Sequence, residues 1–240
     1  MWLGVLMSAC AVQQPAAELS PLVASNTAIT GVEPGALFTL DAARSVVRIH
    51  AFRAGRAANL GHNHVLTVPR LSGVLLLPST DSLAGARFEL SFRLDELLLD
   101  APDQRAALGA GWASPMTAEA IAATRANMLG DGNLQAARFP LVTLRARQIS
   151  GEWPKLMAEL EIELHGQRRT QWIALQAERT DAAMTARGKL VVRQSDFGIA
   201  PFSVLGGLLA VRDELLIEFE LQTNPSKGST STNSPAATSP

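Results

Sequence analysis

The chain has 240 residues, 47% of them hydrophobic and 18% charged, with a formal net charge of −1. So much apolar material excludes a chain disordered throughout. Lys and Arg are scattered rather than gathered on a basic face, which sets aside a nucleic-acid binder.

The sequence opens with MWLGVLMSAC, an uncharged apolar stretch too short to span a bilayer. Ser8 and Ala9 before Cys10 resemble a bacterial lipobox, in which the cysteine is lipidated and becomes the mature N-terminus. Met7 stands where Leu is usual, and no Lys or Arg precedes the apolar run. Residues 1–10 are therefore expected to be an export leader with Cys10 as its lipidation site. The alternative is an apolar N-terminus with an incidental cysteine. Cys10 is the single cysteine, so no disulfide framework, cysteine-based metal site or catalytic thiol follows it. Residues 11–36, rich in Ala, Pro, Ser and Thr, read as a linker.

The folded unit is expected over residues 37–222. It opens with strand candidates at 45–53 and 71–77. Between them lies Gly61-His62-Asn63-His64. On a strand, His62 and His64 share a face and both imidazoles reach one metal ion. Only His50, His165 and carboxylates remain to complete a shell, so this is a weak metal motif. A loop-to-strand junction with locally bonded histidines is the plainer alternative. A third is a histidine at a cavity mouth, meeting a ligand head group.

Phe88, Leu90, Phe92 and Leu94 then alternate with Glu89, Ser91 and Arg93, the period of a strand with one apolar and one wet face. A short helical piece is expected at 103–108. A longer helix is expected at 117–129, with Ser114 and Pro115 suited to its start and Gly130 to its stop. Strand candidates follow at 141–149, at Leu160, Ile162 and Leu164, and at 170–177, with His165-Gly166-Gln167 as a turn. The next strand candidate is 183–193. Arg193 to Gly198 reads as a turn with an ion pair and a buried Phe197. Leu215, Ile217, Phe219 and Leu221 form the last alternating run. Residues 224–240, almost wholly Ser, Thr, Pro, Ala, Asn and Gly, are expected to be a disordered tail.

About eight amphipathic strands with little helix predict an all-β fold, an antiparallel barrel or a sandwich. Periodicity does not choose between them. The inward-facing candidates are Ile49, Ala51, Val74, Leu76, Phe88, Leu90, Phe92, Leu160, Ile162, Trp172, Leu190, Val192, Ile217 and Phe219. Any packed β core offers the same set. G-x-S-x-G, H-E-x-x-H, a P-loop and a strand-linked G-x-G-x-x-G are all missing, and no acid/base pair stands out. The chain does not read as an enzyme.

Five pieces together resemble the YceI-like family. They are Phe38-Thr39-Leu40-Asp41 followed by Ser45-Val46-Val47-Arg48-Ile49; Phe139-Pro140-Leu141-Val142-Thr143-Leu144; LEIELHGQRRT from Leu160 to Thr170; Arg193-Gln194-Ser195-Asp196-Phe197-Gly198-Ile199; and Val211-Arg212-Asp213-Glu214-Leu215. Their order and spacing agree with the family over nearly the whole folded unit; residues 100–137 depart from it. The resemblance implies an eight-stranded lipocalin-like antiparallel barrel with a helix near one end. It also implies a periplasmic protein, here with an outer-membrane anchor at Cys10, that encloses a polyisoprenoid, quinone-like or fatty-chain lipid. On that reading the inward set lines a cavity, the lipid is the only bound group, and the membrane is met through the anchor alone. Pairing of two barrels into a homodimer is left open. The competing expectations are a periplasmic metal-binding protein using His62 and His64, and a ligand-free structural or stress-response barrel.

Overall fold

The computed structural model describes residues 36–78, 82–180 and 183–226. The leader with Cys10, the linker up to residue 35 and the tail from residue 227 lie outside them. Every alternating segment of the described chain is a strand. In chain order these are β1 (Ala36–Leu40), β2 (Val46–Ala54), β3 (His64–Thr67), β4 (Ser72–Leu77), β5 (Arg87–Arg93) and β6 (Leu98–Leu99). After two helices come β7 (Leu141–Glu152), β8 (Lys155–Leu164), β9 (Gln167–Arg179), β10 (Met184–Arg193), β11 (Ser203–Val204) and β12 (Leu209–Pro225).

The sheet closes on itself. Antiparallel pairing runs β1-β4-β5-β7-β8-β9-β10-β12, and β12 returns to β1, giving a barrel of eight strands. The length of β12 makes this closure. One edge pairs with β10 from Glu214 to Thr223. The other edge serves β2 through Ala210 to Glu220 and then β1 through Thr223 to Pro225. Asn224 and Pro225 thus belong to the barrel, two residues into the stretch expected to be disordered, because Thr39 and Phe38 pair with them. β3 and β6 extend the sheet beyond β2 as a short branch.

Turn chemistry agrees with the pairing. His165 and Gly166, between the partners Leu164 and Gln167, have φ of 54° and 70°. Two positive φ values are what a two-residue hairpin turn needs to match strand twist. One joint in the wall is incomplete. The β9–β10 ladder starts at Met184↔Arg179 and stops at Gly188↔Leu175. Beyond it, the Gln171 side-chain amide donates to the Val191 carbonyl at 3.3 Å in place of a backbone bond.

The barrel end at which β5, β8 and β10 finish carries the helices. α1 (Pro102–Ala107) starts on proline, as a first helical turn allows. α2 (Ala118–Leu129) is capped by Thr117, whose Oγ1 accepts from the Ala120 amide at 3.2 Å. The Arg125 guanidinium donates to the carbonyls of Asp95 and Leu97, tying α2 to the β5–β6 connection. Ile121, Met128 and Leu129 lean on the core from this helix. The Arg193–Gly198 stretch is the expected turn, with Phe197 2% exposed and Gly198 at φ 71°. Its ion pair differs: Arg193 faces Glu214 at 3.7 Å, and the carboxylate that braces the turn is Asp213, accepting from the Ser195 amide at 2.8 Å.

Candidate ligand-binding cavity

Inward-pointing side chains of the barrel leave a cavity of about 340 Å³ at its centre. Small-molecule sites occupy about 300–1,000 Å³. At the α2 end the wall includes Thr124, Gln194 and Phe202, and at the opposite end Leu83, Trp153 and Thr185. Along β8 it is lined from Leu156 to Leu164. At about 3.3 Å per residue and a strand tilt near 40°, that makes the cavity about 20 Å tall. Nearly all of the wall between the two ends is hydrocarbon.

Most residues expected to face inward reach this wall: Ile49 and Ala51 from β2; Phe88, Leu90 and Phe92 from β5; Leu160 and Ile162 from β8; Leu190 and Val192 from β10; Ile217 and Phe219 from β12. Three do not. Val74 lies opposite Glu89 on the outer face, and Leu76, though buried, shares that side; Leu75, paired with Phe88, and Leu77 take the inner positions. Val74-Leu75-Leu76-Leu77 has no alternation from which to read a face. Trp172 lies opposite Glu159 and is 52% exposed, while Ile173 and Leu175 line the cavity. The pleat decides which side it occupies.

The two histidines of the Gly61–His64 stretch part company. His64 is on the cavity wall and His62 is not. His64 donates through Nδ1 to Asp100 Oδ2 at 2.6 Å. The other oxygen of Asp100 accepts from the Val65 amide at 3.1 Å and from Arg105 at 2.7 Å. Arg105 also donates to the carbonyls of Asn63 at 2.7 Å and Ser114 at 3.2 Å. The Asp100 side chain is wholly shielded from solvent, and that of Arg105 is 7% exposed. Burial disfavours the Asp100 carboxylate, but the His64 hydrogen bond and charge, the Val65 amide and Arg105 together hold its pKa below the usual range. Burial is the first cause lowering the pKa of His62, followed by the charge of His64.

Local backbone builds this arrangement. Asp100 has φ 53°, a left-handed conformation that Asp tolerates, and turns the chain out of β6. Ala101 has φ −55° and ψ 129°, the non-helical conformation that a following proline favours, and Arg105 comes back one helical turn later. No cluster of three or more His, Cys, Asp or Glu side chains suited to a metal occurs among the described residues. His50 bonds Glu218 at 3.1 Å beneath the edge of Trp112, and His165 bonds the Phe197 carbonyl at 3.1 Å, so neither joins the His62–His64 pair. Asp100 and Arg105 were not legible as site residues. Their only sequence signal is a charged pair five apart beside a proline helix start. Thr124 and Asn127, one turn apart on α2, were missed because a helix lying over a barrel mouth is not visible in strand periodicity.

No protein-family model and no curated protein matches the sequence. Among solved structures, BcnA of Burkholderia cenocepacia aligns with a TM-score of 0.55 at 14% identity, over 76% of this chain and 98% of BcnA. The chain has the BcnA fold. The match to BcnA spans almost all of that protein, so the shared part is the whole lipocalin-like barrel and not a fragment of it. A YCEI protein of Campylobacter jejuni also aligns, with a TM-score of 0.47 at 9% identity, over 66% of this chain and 83% of the other.

Proposed function

We propose that the protein is a YceI-like binding protein, not an enzyme, that carries a long apolar lipid of the polyisoprenoid, quinone-like or fatty-chain kind in its barrel. The observation that carries this is the cavity itself: apolar, about 20 Å tall by strand geometry, and not filled by the side chains around it. Burying hydrocarbon contributes about 0.8 kcal/mol per CH2 in gross terms. A tail of about sixteen carbons therefore gains about 13 kcal/mol, comparable to the cost of about 4–15 kcal/mol for association. Tail length thus sets affinity, and the mechanism is equilibrium capture with no chemical step and no cofactor. The five sequence motifs and the BcnA fold support the reading. With Cys10 lipidated, the barrel works in the periplasm on a tether to the outer membrane, and the lipid is its partner.

Native mass spectrometry of protein purified from a bacterial host tests this. The expected spectrum shows one apolar molecule per chain, released under denaturing conditions. Repeated preparations of monodisperse, ligand-free protein would sink the proposal in favour of a structural barrel.

A further inference from the structure

Polar groups on the cavity wall sit at its two ends. Away from α2, Thr223 Oγ1 already bonds the backbone of Met184. At the α2 end, the Gln194 side-chain amide donates to the Arg212 carbonyl at 2.8 Å, and that of Asn133 to the Ala200 carbonyl at 3.1 Å. His64 is different. Asp100 engages its Nδ1, and its Nε2 has no hydrogen-bond partner among the described residues. Sealing the wall requires only an apolar side chain at this position. Instead the fold buries an Asp–Arg pair behind it, a costly arrangement that fixes the plane and tautomer of one imidazole. Hydrogen bonds of this kind hold a ring whose second nitrogen has work to do.

We propose that His64 Nε2 receives the polar end of the ligand, and that this end is a neutral hydroxyl, aliphatic or phenolic, with the tail running down the barrel. The assignment rests on the carrier reading and narrows it to one ligand class. An ionised carboxylate only accepts hydrogen bonds, so Nδ1 is the donor to Asp100. A hydroxyl both donates and accepts, and it complements Nε2 whether or not that nitrogen carries a proton. An anionic head fits poorly. It would sit one imidazole away from the Asp100 carboxylate, and the nearby guanidinium of Arg105 is already held by Asp100, Asn63 and Ser114. A bare hydrocarbon would leave Nε2 unpaired.

The test uses delipidated full-length protein and displacement of a bound fluorescent apolar dye by 1-hexadecanol, hexadecanoic acid or hexadecane. The alcohol is expected to bind about tenfold tighter than the alkane, the net gain of one hydrogen bond, and tighter than the acid at neutral pH. His64→Phe should erase the preference for the alcohol, read as the ratio of alcohol to alkane affinity within the variant. His64→Gln, which keeps a donor and an acceptor, should retain part of it, and circular dichroism checks that both variants fold. Equal affinity for alcohol and alkane in the unmodified protein overturns the head-group assignment, as does a preference that survives in His64→Phe. Tightest binding by the acid also overturns it. Each of these outcomes leaves the carrier standing, whereas displacement by none of the three ligands removes the carrier and this assignment together.

Discussion

Asp100 shows how much one side chain can organise. Its carboxylate accepts from His64, from the Val65 amide and from Arg105, with no solvent contact. Asp100→Asn keeps the shape and the left-handed backbone but leaves the Arg105 charge buried without its counter-ion. The expected loss is about 3–5 kcal/mol in urea denaturation. The pH dependence has a definite sign. Because the folded pKa lies below the unfolded one, the carboxylate contributes its full stability at neutral pH and loses it as pH falls below about 4. Asp100→Asn should therefore show a shallower fall in stability across the acid range. A denaturation series from pH 6 to pH 2 that gives parallel curves for both proteins would refute the assignment. Residue-level detail was the least legible part of the sequence. The alternating strands revealed Leu90 and Ile162 as inward, yet Trp172 was misplaced, because the 170–177 segment shows no clean alternation and register decides facing.

At the scale of elements, the strands with clear alternation were readable and the short ones were not. β3, β6 and β11 have too few residues to display a period, and β4 ends in three consecutive leucines that fit either face. α2 was readable to within one residue from its Ala-rich composition and its stop, Gly130, but its cap is Thr117 and not Ser114, the start signal the sequence offered. Gly188 on β10 illustrates a position whose meaning appears only across strands. A Cβ there would come within 2.6 Å of Phe219 Cζ and 3.1 Å of the Ala174 carbonyl. The missing side chain is what lets the Phe219 ring lie against the wall. Gly188→Ala should push that ring into the cavity, costing about 1–3 kcal/mol by overpacking and weakening capture of long chains. Thermal denaturation with dye binding measures both; an unchanged protein would mean that the ring moves without consequence.

For the whole molecule, period-two patterning predicted an antiparallel sheet but was silent on closure. A barrel and a sandwich bury the same alternate residues, and the choice turns on whether the last strand reaches the first. Here the 17 residues of β12 provide that reach. The closed wall makes a further expectation possible. Leu160→Trp places an indole inside a space that is already open, so on the carrier reading the variant should lose lipid binding yet keep its unfolding free energy in urea within about 0.5 kcal/mol of the lipid-free parent protein. A solid interior would answer the same substitution with a loss of about 1–3 kcal/mol.

The wall is also unevenly sealed. Where β9 and β10 part above Gly188 and Leu175, a single glutamine amide stands in for a run of backbone bonds. Such a joint opens at far lower cost than the barrel as a whole. Hydrogen–deuterium exchange should find the β9-facing amides of residues 189–193 trading protons well before those of the same strand that face β12. If the barrel carries a lipid as proposed, this joint is where cargo would change places with no unfolding of its container.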